Sequence, residues 1–589
     1  MTKQQNDVFV SRTPRKAVTP VLLLASLLAA GLLSTSAMAQ DGNEREDGPV
    51  VQTAEGPVRG FVRDGVYQFL GIPYAAPPVG ALRWMPPQPV RHWHAPLNAT
   101  KFGNTCAQVT ELGVFAGPPN INEDCLYLNV FTTRLGGGGT GNAVLVWIHG
   151  GGNVDGESSD YDGTKLATGG PLGTPTVVVT INYRMGLFGF LAHPALDAEG
   201  HLYDNYGILD QQAVLHWVQR NAAAFGGDPK RVALGGQSAG AQDTGVNQIS
   251  PLAAGLFNRA IYESSPLSGI TIRSIGLTRG MNFANAAGCP GQDAATAACL
   301  RALSTAEILQ LQGTPNVNGP YVTGPMLDGT IMPMTPVTAW RTGKFNRMPI
   351  MGGNVQDEAT FGISITEYFA NPQAPITAAQ YVTNVTNAYS GTVYSGGPTY
   401  PAGTVAQVLA KYPPDLMGLS PQEVFDLVGT HPGACRNVQV DRLWAKWVPV
   451  YEYEFNDQNA PYYFPPLPGF KPLAAHTIDI QFLFPNWHGG VLGVNHPATL
   501  TAQETALSDE LVAAWTNFAS TGNPNGTGNS PWPLYTEAAN APAVLSENVP
   551  SLSTFTLAQW SANHNCGFWT GDTLDPVTGN TGGILHFQP

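Results

Sequence analysis

Short apolar runs rich in β-branched residues alternate along the chain with longer, helix-like segments. The runs at residues 143–148, 176–182, 232–234, 260–263 and 349–352 predict strands. Segments such as 207–221 and 508–520 predict helices. Strands that are separated by helices favour a mainly parallel sheet that is covered by helices on both faces. The pattern therefore predicts an α/β fold.

No linker-like change of composition follows residue 50, so residues 40–589 are predicted to form a single domain. Residues 370–420 are rich in Thr, Tyr, Pro and Gly, which predicts an irregular, lid-like insertion. The glycine run at 136–139 lies between two predicted strands and precedes no helix. It is therefore interpreted as a flexible loop and not as a phosphate-binding loop.

The first 39 residues have the pattern of an export signal. Three basic residues, Arg12, Arg15 and Lys16, precede an apolar stretch at 21–33 that is too short for an ordinary membrane span. The segment Ala37-Met38-Ala39, with small residues at its first and third positions, fits a cleavage site that would leave Gln40 as the new N-terminus. An uncleaved membrane anchor is the alternative. The sequence thus predicts an exported protein, secreted or periplasmic, with no stable membrane insertion after cleavage.

Composition and charge limit the partners. Residues 1–39 carry a net charge of +3, so their removal lowers the net charge from −14 to −17. A protein this acidic repels nucleic acid and anionic lipid at long range, which argues against both as partners. Hydrophobic residues make up 43% of the chain, which is ample for a large core.

A candidate nucleophile follows the predicted strand at 232–234. The segment Gly236-Gln237-Ser238-Ala239-Gly240 places a serine between a strand and a predicted helix, with glycines on both sides. A serine on such a tight turn is how an α/β-hydrolase presents its nucleophile. Glycines are needed there because a Cβ atom would collide with the neighbouring backbone.

A second glycine run, Gly150-Gly151-Gly152, follows His149 at the end of the strand at 143–148. Backbone N–H groups without side-chain obstruction are suited to bind a developing oxyanion. Together with the N–H of Ala239, those of Gly151 and Gly152 are predicted to form an oxyanion hole with three donors.

The six cysteines are expected to form disulfides because the chain is predicted to be exported. Six cysteines allow fifteen connectivities, and spacing does not choose among them. The simplest set has two short loops and one long closure. Zinc is the competing interpretation, but no Cys-x2-Cys pair with a matching histidine spacing occurs. In chain order the cysteines are Cys106, Cys125, Cys289, Cys299, Cys435 and Cys566.

Further motifs between about residues 53 and 535 give the chain a close resemblance to the type B carboxylesterases. This group includes acetylcholinesterase, bacterial para-nitrobenzyl esterases and fungal lipases. The motifs are Gly71-Ile72-Pro73-Tyr74-Ala75, Leu82-Arg83-Trp84, Glu123-Asp124-Cys125-Leu126-Tyr127-Leu128-Asn129-Val130, Asn182-Tyr183-Arg184, Asp210-Gln211 and Phe225-Gly226-Gly227-Asp228-Pro229.

The resemblance implies an α/β-hydrolase fold, and it selects the disulfide pairs 106–125, 289–299 and 435–566. It also implies a catalytic triad of Ser238, Glu358 and His476. Asp357 is the rival acid, and His149 is the other candidate base. The family usually has Gly where Ala359 stands, and this departure is expected to alter the turn and not the charge.

Smaller features follow from the same resemblance. Ser264 matches a serine that lies near the triad acid in relatives. Two structural ion pairs are expected, between Arg83 and Glu123 and between Arg184 and Asp210. Glycosylation triplets begin at Asn98, Asn384 and Asn525.

The predicted function is hydrolysis of small carboxylic esters by two-step acyl transfer, without a metal or organic cofactor. A secreted lipase and a non-catalytic adhesion protein are the alternatives. Gln237 stands where relatives often have Glu, and the 106–125 loop holds Phe115 but no tryptophan. Cation recognition needs an aromatic face, so a choline ester is a poor candidate substrate. Asn153, where relatives commonly have an aromatic residue, is interpreted as a sign of a more polar pocket.

Overall fold

An eleven-stranded sheet forms the centre of the protein. The structure is a computed structural model, and it describes residues 48–109, 119–136, 140–202, 204–264, 270–312, 324–391, 400–490, 499–538, 540–571 and 583. Residues Asp47–Pro589 form one compact unit. The predicted signal at 1–39, Phe115 and most of the glycine run at 136–139 lie outside the described residues.

The strands are β1 (Val50–Gln52), β2 (Pro57–Arg59), β3 (Phe61–Arg63), β4 (Val66–Pro73), β5 (Leu97–Asn98), β6 (Tyr127–Thr132), β7 (Asn142–Ile148), β8 (Thr176–Ile181), β9 (Gly227–Gln237), β10 (Arg259–Glu263), β11 (Thr271–Ile272), β12 (Met326–Leu327), β13 (Ile350–Val355), β14 (Val450–Phe455), β15 (Val544–Glu547) and β16 (Ser553–Phe555). The strand order of the large sheet is β16-β15-β14-β13-β10-β9-β7-β8-β6-β4-β3. Every neighbouring pair from β15 to β8 in this order is parallel. The pairs at the two ends, β16 with β15 on one side and β8, β6, β4 and β3 on the other, are antiparallel. The predicted mainly parallel sheet is confirmed.

The helices are α1 (Thr164–Thr168), α2 (Gly186–Gly189), α3 (Pro194–Asp197), α4 (Tyr206–Asn221), α5 (Ala239–Ile249), α6 (Arg273–Ala286), α7 (Ala294–Ala302), α8 (Thr305–Gln312), α9 (Pro336–Thr342), α10 (Thr360–Phe369), α11 (Ala378–Tyr389), α12 (Thr404–Lys411), α13 (Pro421–Trp444), α14 (Ile480–Leu483), α15 (Ala502–Thr521), α16 (Leu557–Asn563) and α17 (Cys566–Trp569). Within the described part of the chain, no helix has the length and apolar character needed to span a membrane.

The central strand β7 separates two apolar cores. Val144, Val146 and Ile148 belong to one core, while Leu145 and Trp147 belong to the other. Successive side chains of a strand point to opposite faces, so alternate residues of β7 meet different helices. Helix α4 contributes to the first core and helix α15 to the second. The sheet is therefore buried on both faces, which explains its continuous apolar strands.

The segment 370–420 differs from the irregular structure that its composition predicts. Helices α11 and α12 lie within it, and α11 begins with a capping box between Thr377 and Gln380. Tyr381, Val385 and Val408 pack in one apolar cluster with residues of α13. The described part of the segment therefore contains two packed helices joined to non-helical stretches, and its action as a lid stays a prediction.

Three disulfides join Cys106 to Cys125, Cys289 to Cys299 and Cys435 to Cys566. These are the pairs that the resemblance implies. The third bond ties α13 to α17 and closes a loop of 131 residues, whereas the second closes only 10.

Removal of the long closure should cost more stability than removal of the short one. Loop entropy in the unfolded chain assigns about 5 kcal/mol to the 435–566 bond and about 3 kcal/mol to the 289–299 bond. We expect the double variant Cys435→Ala, Cys566→Ala to have a lower unfolding midpoint in urea than Cys289→Ala, Cys299→Ala. Equal midpoints would show that loop length does not set the contribution of these bonds.

Candidate active site

Three loops that carry candidate catalytic groups begin at one edge of the sheet. The glycine run follows β7, Ser238 follows β9, and Glu358 lies three residues beyond β13. These strands belong to the parallel part of the sheet, so their carboxyl ends lie at the same edge. Open α/β sheets bind ligands at this edge. The topology therefore brings together groups that lie far apart in the sequence.

The turn between β9 and α5 holds Ser238 in a conformation that is rare for residues with a side chain. Its φ is 56° and its ψ is −122°, and its N–H donates to the carbonyl of Glu263 at 2.9 Å. A Cβ atom on Gly236 would lie 2.5 Å from the carbonyl oxygen of Ile148, and one on Gly240 would lie 2.0 Å from it. Contacts this short do not occur in real structures, so both positions require glycine. This confirms the steric reason given for the two glycines.

The glycine loop packs directly against this turn. A Cβ atom on Gly150 would lie 3.1 Å from the Cβ of Ser238. Gly151 and Gly152 follow with φ values of 103° and 61°, in the left-handed region that favours glycine. Ala239 is the first residue of α5, where backbone N–H groups lack partners within the helix. All three predicted oxyanion donors thus lie on segments that adjoin Ser238.

Glu358 and His476 are in direct contact. The Oε2 atom of Glu358 forms a short hydrogen bond with Nδ1 of His476, and its Oε1 accepts from the N–H of Val355 at 3.1 Å. The side chains of His476 and Glu358 are 14% and 23% exposed. A carboxylate on Nδ1 fixes the imidazole tautomer and leaves the Nε2 lone pair for a second partner. This is the arrangement that the triad hypothesis requires of its acid and its base.

Asp357 is bound elsewhere and does not compete for His476. Its carboxylate accepts from the amide of Gln458 at 2.8 Å and from the N–H of Ala474 at 3.1 Å. Its own N–H donates to the carbonyl of Ala474 at 3.0 Å. Burial raises the pKa of Asp357 to about 6. Asp357 therefore ties the acid-bearing loop to the segment that leads into His476.

His149, the other candidate base, is unsuited to that role. Its ring is fully buried and stacks on Tyr183 with 4.6 Å between ring centroids, and its Nδ1 hydrogen bonds to the carbonyl of Gly150 at 2.8 Å. Burial lowers the pKa of His149 to about 4. A group that does not take up a proton near neutral pH is a poor general base. His149 instead holds the start of the glycine loop.

The side chain of Gln237 lies against the ring of His476. Its Nε2 is 3.2 Å from Nε2 of the imidazole and 3.5 Å from Nδ1. A donor placed along the Nε2 lone pair would lie much farther from Nδ1 than from Nε2. The nearly equal distances therefore place the amide over the face of the ring, in an N–H···π contact. The in-plane lone pair of Nε2 stays available.

A second side chain near the base is Asp479, three residues after His476. Burial, and then the negative charge of Glu358, raise the pKa of Asp479 to about 7. Near neutral pH a larger fraction of this carboxyl group is therefore protonated than of an exposed aspartate, which reduces the negative charge beside the Glu358–His476 pair. No cluster of three or more His, Cys, Asp or Glu side chains suited to a metal ion occurs within the described ranges.

Ala359 fits beside the acid because its neighbour on α13 is small. A Cβ atom on Gly429 would lie 2.5 Å from the Cβ of Ala359, and the N–H of Ala359 donates to the hydroxyl of Thr430 at 3.0 Å. The extra methyl group at residue 359 is thus accommodated by a glycine on the facing helix.

The remaining predicted contacts are structural. Nε of Arg83 lies 2.8 Å from Glu123, and Nε of Arg184 lies 2.8 Å from Asp210. The N–H of Ser264 donates to the carbonyl of Gly353 at 2.8 Å, whereas its buried hydroxyl has no hydrogen-bond partner among the described residues. Both expected ion pairs are present.

Asn153 does not support the expectation of a more polar pocket. It is only 1% exposed, and its amide donates to Asp243 of α5 at 3.2 Å. The sequence singles out Asn153 but gives no signal for Asp243, which lies 90 residues away and belongs to none of the motifs.

A sequence model of the carboxylesterase family matches residues 47–569. The chain belongs to this family. It is 32% identical over 540 residues to an acylcarnitine hydrolase of Mus musculus, covering 86% of this chain and 89% of that protein. It is 33% identical over 502 residues to a fumonisin B1 esterase of Sphingopyxis macrogoltabida, covering 82% and 84%.

Solved structures of carboxylesterases resemble this chain over nearly their whole length. The Geobacillus stearothermophilus carboxylesterase has a TM-score of 0.69 and 30% identity, and the match covers 87% of this chain and 99% of that one. A thermophilic PNB esterase has a TM-score of 0.68 and 28% identity, covering 88% and 99%. The α/β-hydrolase fold is therefore confirmed, and the protein is a carboxylic-ester hydrolase.

The contact of Gln237 predicts a change in pH dependence. In the variant Gln237→Glu, a carboxylate would lie against the imidazole face and stabilise the imidazolium. The acidic limb of kcat/KM should then move to higher pH by about one unit. The measurement is kcat/KM for p-nitrophenyl acetate between about pH 5 and pH 9, because the pH dependence of kcat/KM reports the ionisation of the free enzyme's acid and base. The neutral variant Gln237→Met serves as the control. If the acidic limbs of Gln237→Glu and Gln237→Met coincide, the placement of the residue 237 side chain against the His476 ring is contradicted.

Proposed function

We propose that this carboxylesterase acts through an acyl-enzyme on Ser238, with His476 as general base and Glu358 as the group that orients it. The observation that carries the proposal is the contact of Glu358 with Nδ1 of His476, beside the residue that precedes Ser238. Asp357 and His149 are bound to other groups, which leaves no rival for either role among the residues considered.

In the first step, Nε2 of His476 removes the proton of the Ser238 hydroxyl while Oγ attacks the ester carbonyl. The negative charge on the carbonyl oxygen is bound by the N–H groups of Gly151, Gly152 and Ala239. The tetrahedral intermediate collapses, and the alcohol leaves with the proton from His476. The carboxylate of Glu358 stabilises the imidazolium during this transfer.

In the second step, water takes the place of the alcohol. His476 accepts a proton from the water, whose oxygen attacks the acyl carbonyl, and the carboxylic acid is released as Ser238 regains its proton. Each oxyanion donor contributes about 3 kcal/mol to lowering the barrier, by comparison with other hydrolases. Each proton that His476 takes up is returned within the same step, so the cycle requires no cofactor.

The substrate class that we propose is small-molecule carboxylic esters. The relatives are named for an acylcarnitine hydrolase activity and for an esterase of fumonisin B1. The contrary hypotheses, a lipase of long-chain acylglycerols and an adhesion protein without catalysis, have no support in these relatives. A non-catalytic adhesion role would also not account for the hydrogen bond between Glu358 and His476.

Replacement of the nucleophile tests this proposal. Ser238→Ala should lower kcat/KM for p-nitrophenyl acetate and butyrate by about a thousandfold or more, since the members of a triad act as a unit. The exposed serine variant Ser551→Ala is the matched control and should keep the activity of the wild type. An active Ser238→Ala enzyme would contradict the assignment, and turnover confined to dispersed p-nitrophenyl palmitate would favour the lipase.

We also propose that the protein is exported, secreted or periplasmic, after loss of residues 1–39. Three disulfides in the described chain support this compartment, because such bonds persist in oxidising surroundings. The net charge of −17 that remains is unfavourable for contact with anionic lipid.

Cleavage of the signal predicts a defined N-terminus. The protein recovered outside the cytoplasm should begin at Gln40, as determined by N-terminal sequencing and intact mass. Recovery of the chain in the membrane fraction with residues 1–39 attached would favour the uncleaved anchor.

A further inference from the structure

A chain of buried polar side chains connects the glycine loop to the helix that begins beside Ser238. The amide of Asn153 donates to Oδ1 of Asp243 at 3.2 Å, and the amide of Gln211 donates to Oδ2 at 2.6 Å. Gln211 lies on α4, and its carbonyl oxygen accepts from Asn247 at 2.8 Å. All four side chains are at most 1% exposed. The chain therefore links three separate segments inside the protein.

On the loop side, Asn153 is fixed at its backbone as well as at its side chain. Its φ is 59°, a left-handed conformation that asparagine tolerates better than most residues. Its carbonyl accepts from the N–H of Gly186 at 2.6 Å. The carbonyl of Gly151, two residues earlier, accepts from Val154 at 3.0 Å and from Asp155 at 3.1 Å. The glycine loop thus ends in a tight turn whose anchor is Asn153.

On the helix side, the carboxyl group of Asp243 is held without a cation. None of the ion pairs found among the described residues includes it, and its two oxygens accept only from amides. Burial raises the pKa of Asp243 to about 7. Burial of a carboxyl group costs free energy that neutral amides offset only in part. Because burial of Asp243 costs free energy, we expect this side chain to serve a purpose that an apolar residue could not serve.

The place of the link in the site indicates that contribution. Two of the predicted oxyanion donors, Gly151 and Gly152, belong to the loop that Asn153 anchors. The third, Ala239, is the first residue of α5, the helix that carries Asp243. Oxyanion binding requires all donors at hydrogen-bond distance from one oxygen, so the separation of loop and helix must be fixed.

We propose that Asn153 and Asp243 are positioning residues that hold the two halves of the oxyanion hole at the separation needed by the transition state. This inference rests on the proposed function and extends it to residues that touch no substrate. The link is a hydrogen bond between side chains, and a charge on residue 243 is not required for it.

The geometry provides a test that separates hydrogen bonding from charge. The Oδ1 atom of Asn153 is buried and has no partner among the described residues. In the variant Asp243→Asn, the new amide would donate to this oxygen once the Asn153 amide is turned over. The remaining oxygen of residue 243 would still accept from Gln211. Asp243→Asn therefore keeps the link, whereas Asp243→Ala removes it.

The experiment compares Asp243→Ala, Asp243→Asn, Asn153→Gly and the double variant Asn153→Gly, Asp243→Ala. Glycine at 153 keeps the positive φ without strain. We expect kcat for p-nitrophenyl acetate to fall about tenfold or more in Asp243→Ala and in Asn153→Gly. KM should stay within about threefold, because the donors act mainly in the transition state. Affinity for a trifluoromethyl ketone, which forms an oxyanion on Ser238, should fall by the same factor as kcat.

Two further results are expected. The double variant should be no slower than the slower single variant, since both changes break one link. Asp243→Asn should recover a kcat close to that of the wild type. Gln212→Ala is the matched control, because Gln212 is a buried amide of α4 that donates to Ser250 instead of Asp243. It should lower the unfolding midpoint and leave kcat unchanged.

The proposal is overturned if Asp243→Ala or Asn153→Gly keeps the wild-type kcat, if the effects of the two changes multiply in the double variant, or if Asp243→Asn is as slow as Asp243→Ala. If Asp243→Ala does not fold, the same comparison is made with Asn153→Gly and Asp243→Asn alone. Labelling of the wild type with a p-nitrophenyl phosphonate separates this test from that of the proposed function. Absence of label on Ser238 would contradict the triad, whereas labelled enzyme with fast variants would contradict only the link.

Discussion

The close approach of the β9–α5 turn to the end of β7 is the constraint on which the site depends. The carbonyl oxygen of Ile148 lies only 2.5 Å from where a Cβ atom of Gly236 would stand and 2.0 Å from that of Gly240. Because both residues lack a Cβ, the turn can press against β7, and Ser238 is presented at a φ of 56°. The same contact brings the glycine loop to Ser238. The candidate nucleophile and the candidate oxyanion donors are thus positioned by one backbone packing.

Buried carboxyl groups hold the segments around this turn. Asp357 binds the backbone before His476, and Asp243 binds Gln211 and Asn153. Burial raises the pKa of both groups, so near neutral pH each is protonated to a greater extent than an exposed aspartate. These acids bind backbone and amide groups, whereas among the described carboxyl groups Glu358 is the one that hydrogen bonds to the imidazole. Because Asp357 and Asp243 are bound to other groups, they do not compete with Glu358 for the imidazole of His476.

The parallel strands could be predicted from the sequence because they are buried on both faces and appear as continuous apolar runs. The predicted strand at 232–234 is too short. Strand β9 extends from Gly227 to Gln237, and it begins with Gly227 paired to β7 and a charged stretch at 228–231 before the apolar residues. Helix α13 was not predicted, because it contains Pro432 and most of its residues are buried whatever their polarity. The helical structure of 378–389 and 404–411 was hidden by a composition typical of loops.

The triad and the glycine loop could be named from local motifs and from a family resemblance. The contacts that support them could not, because they join residues far apart in the sequence. Asp243 with Asn153 and Gln237 with His476 are pairs that only the folded chain brings together. A motif therefore predicts which groups react, whereas the contacts that position those groups depend on the folded structure.

A crystal structure of the protein inhibited by a p-nitrophenyl alkylphosphonate tests the central claim most directly. The account predicts phosphorus bonded to Oγ of Ser238, with one phosphonyl oxygen within hydrogen-bond distance of the N–H groups of Gly151, Gly152 and Ala239. Nε2 of His476 should face the phosphonate while Nδ1 remains on Glu358. Phosphorus on another residue, or a phosphonyl oxygen directed away from the glycine loop, would contradict it.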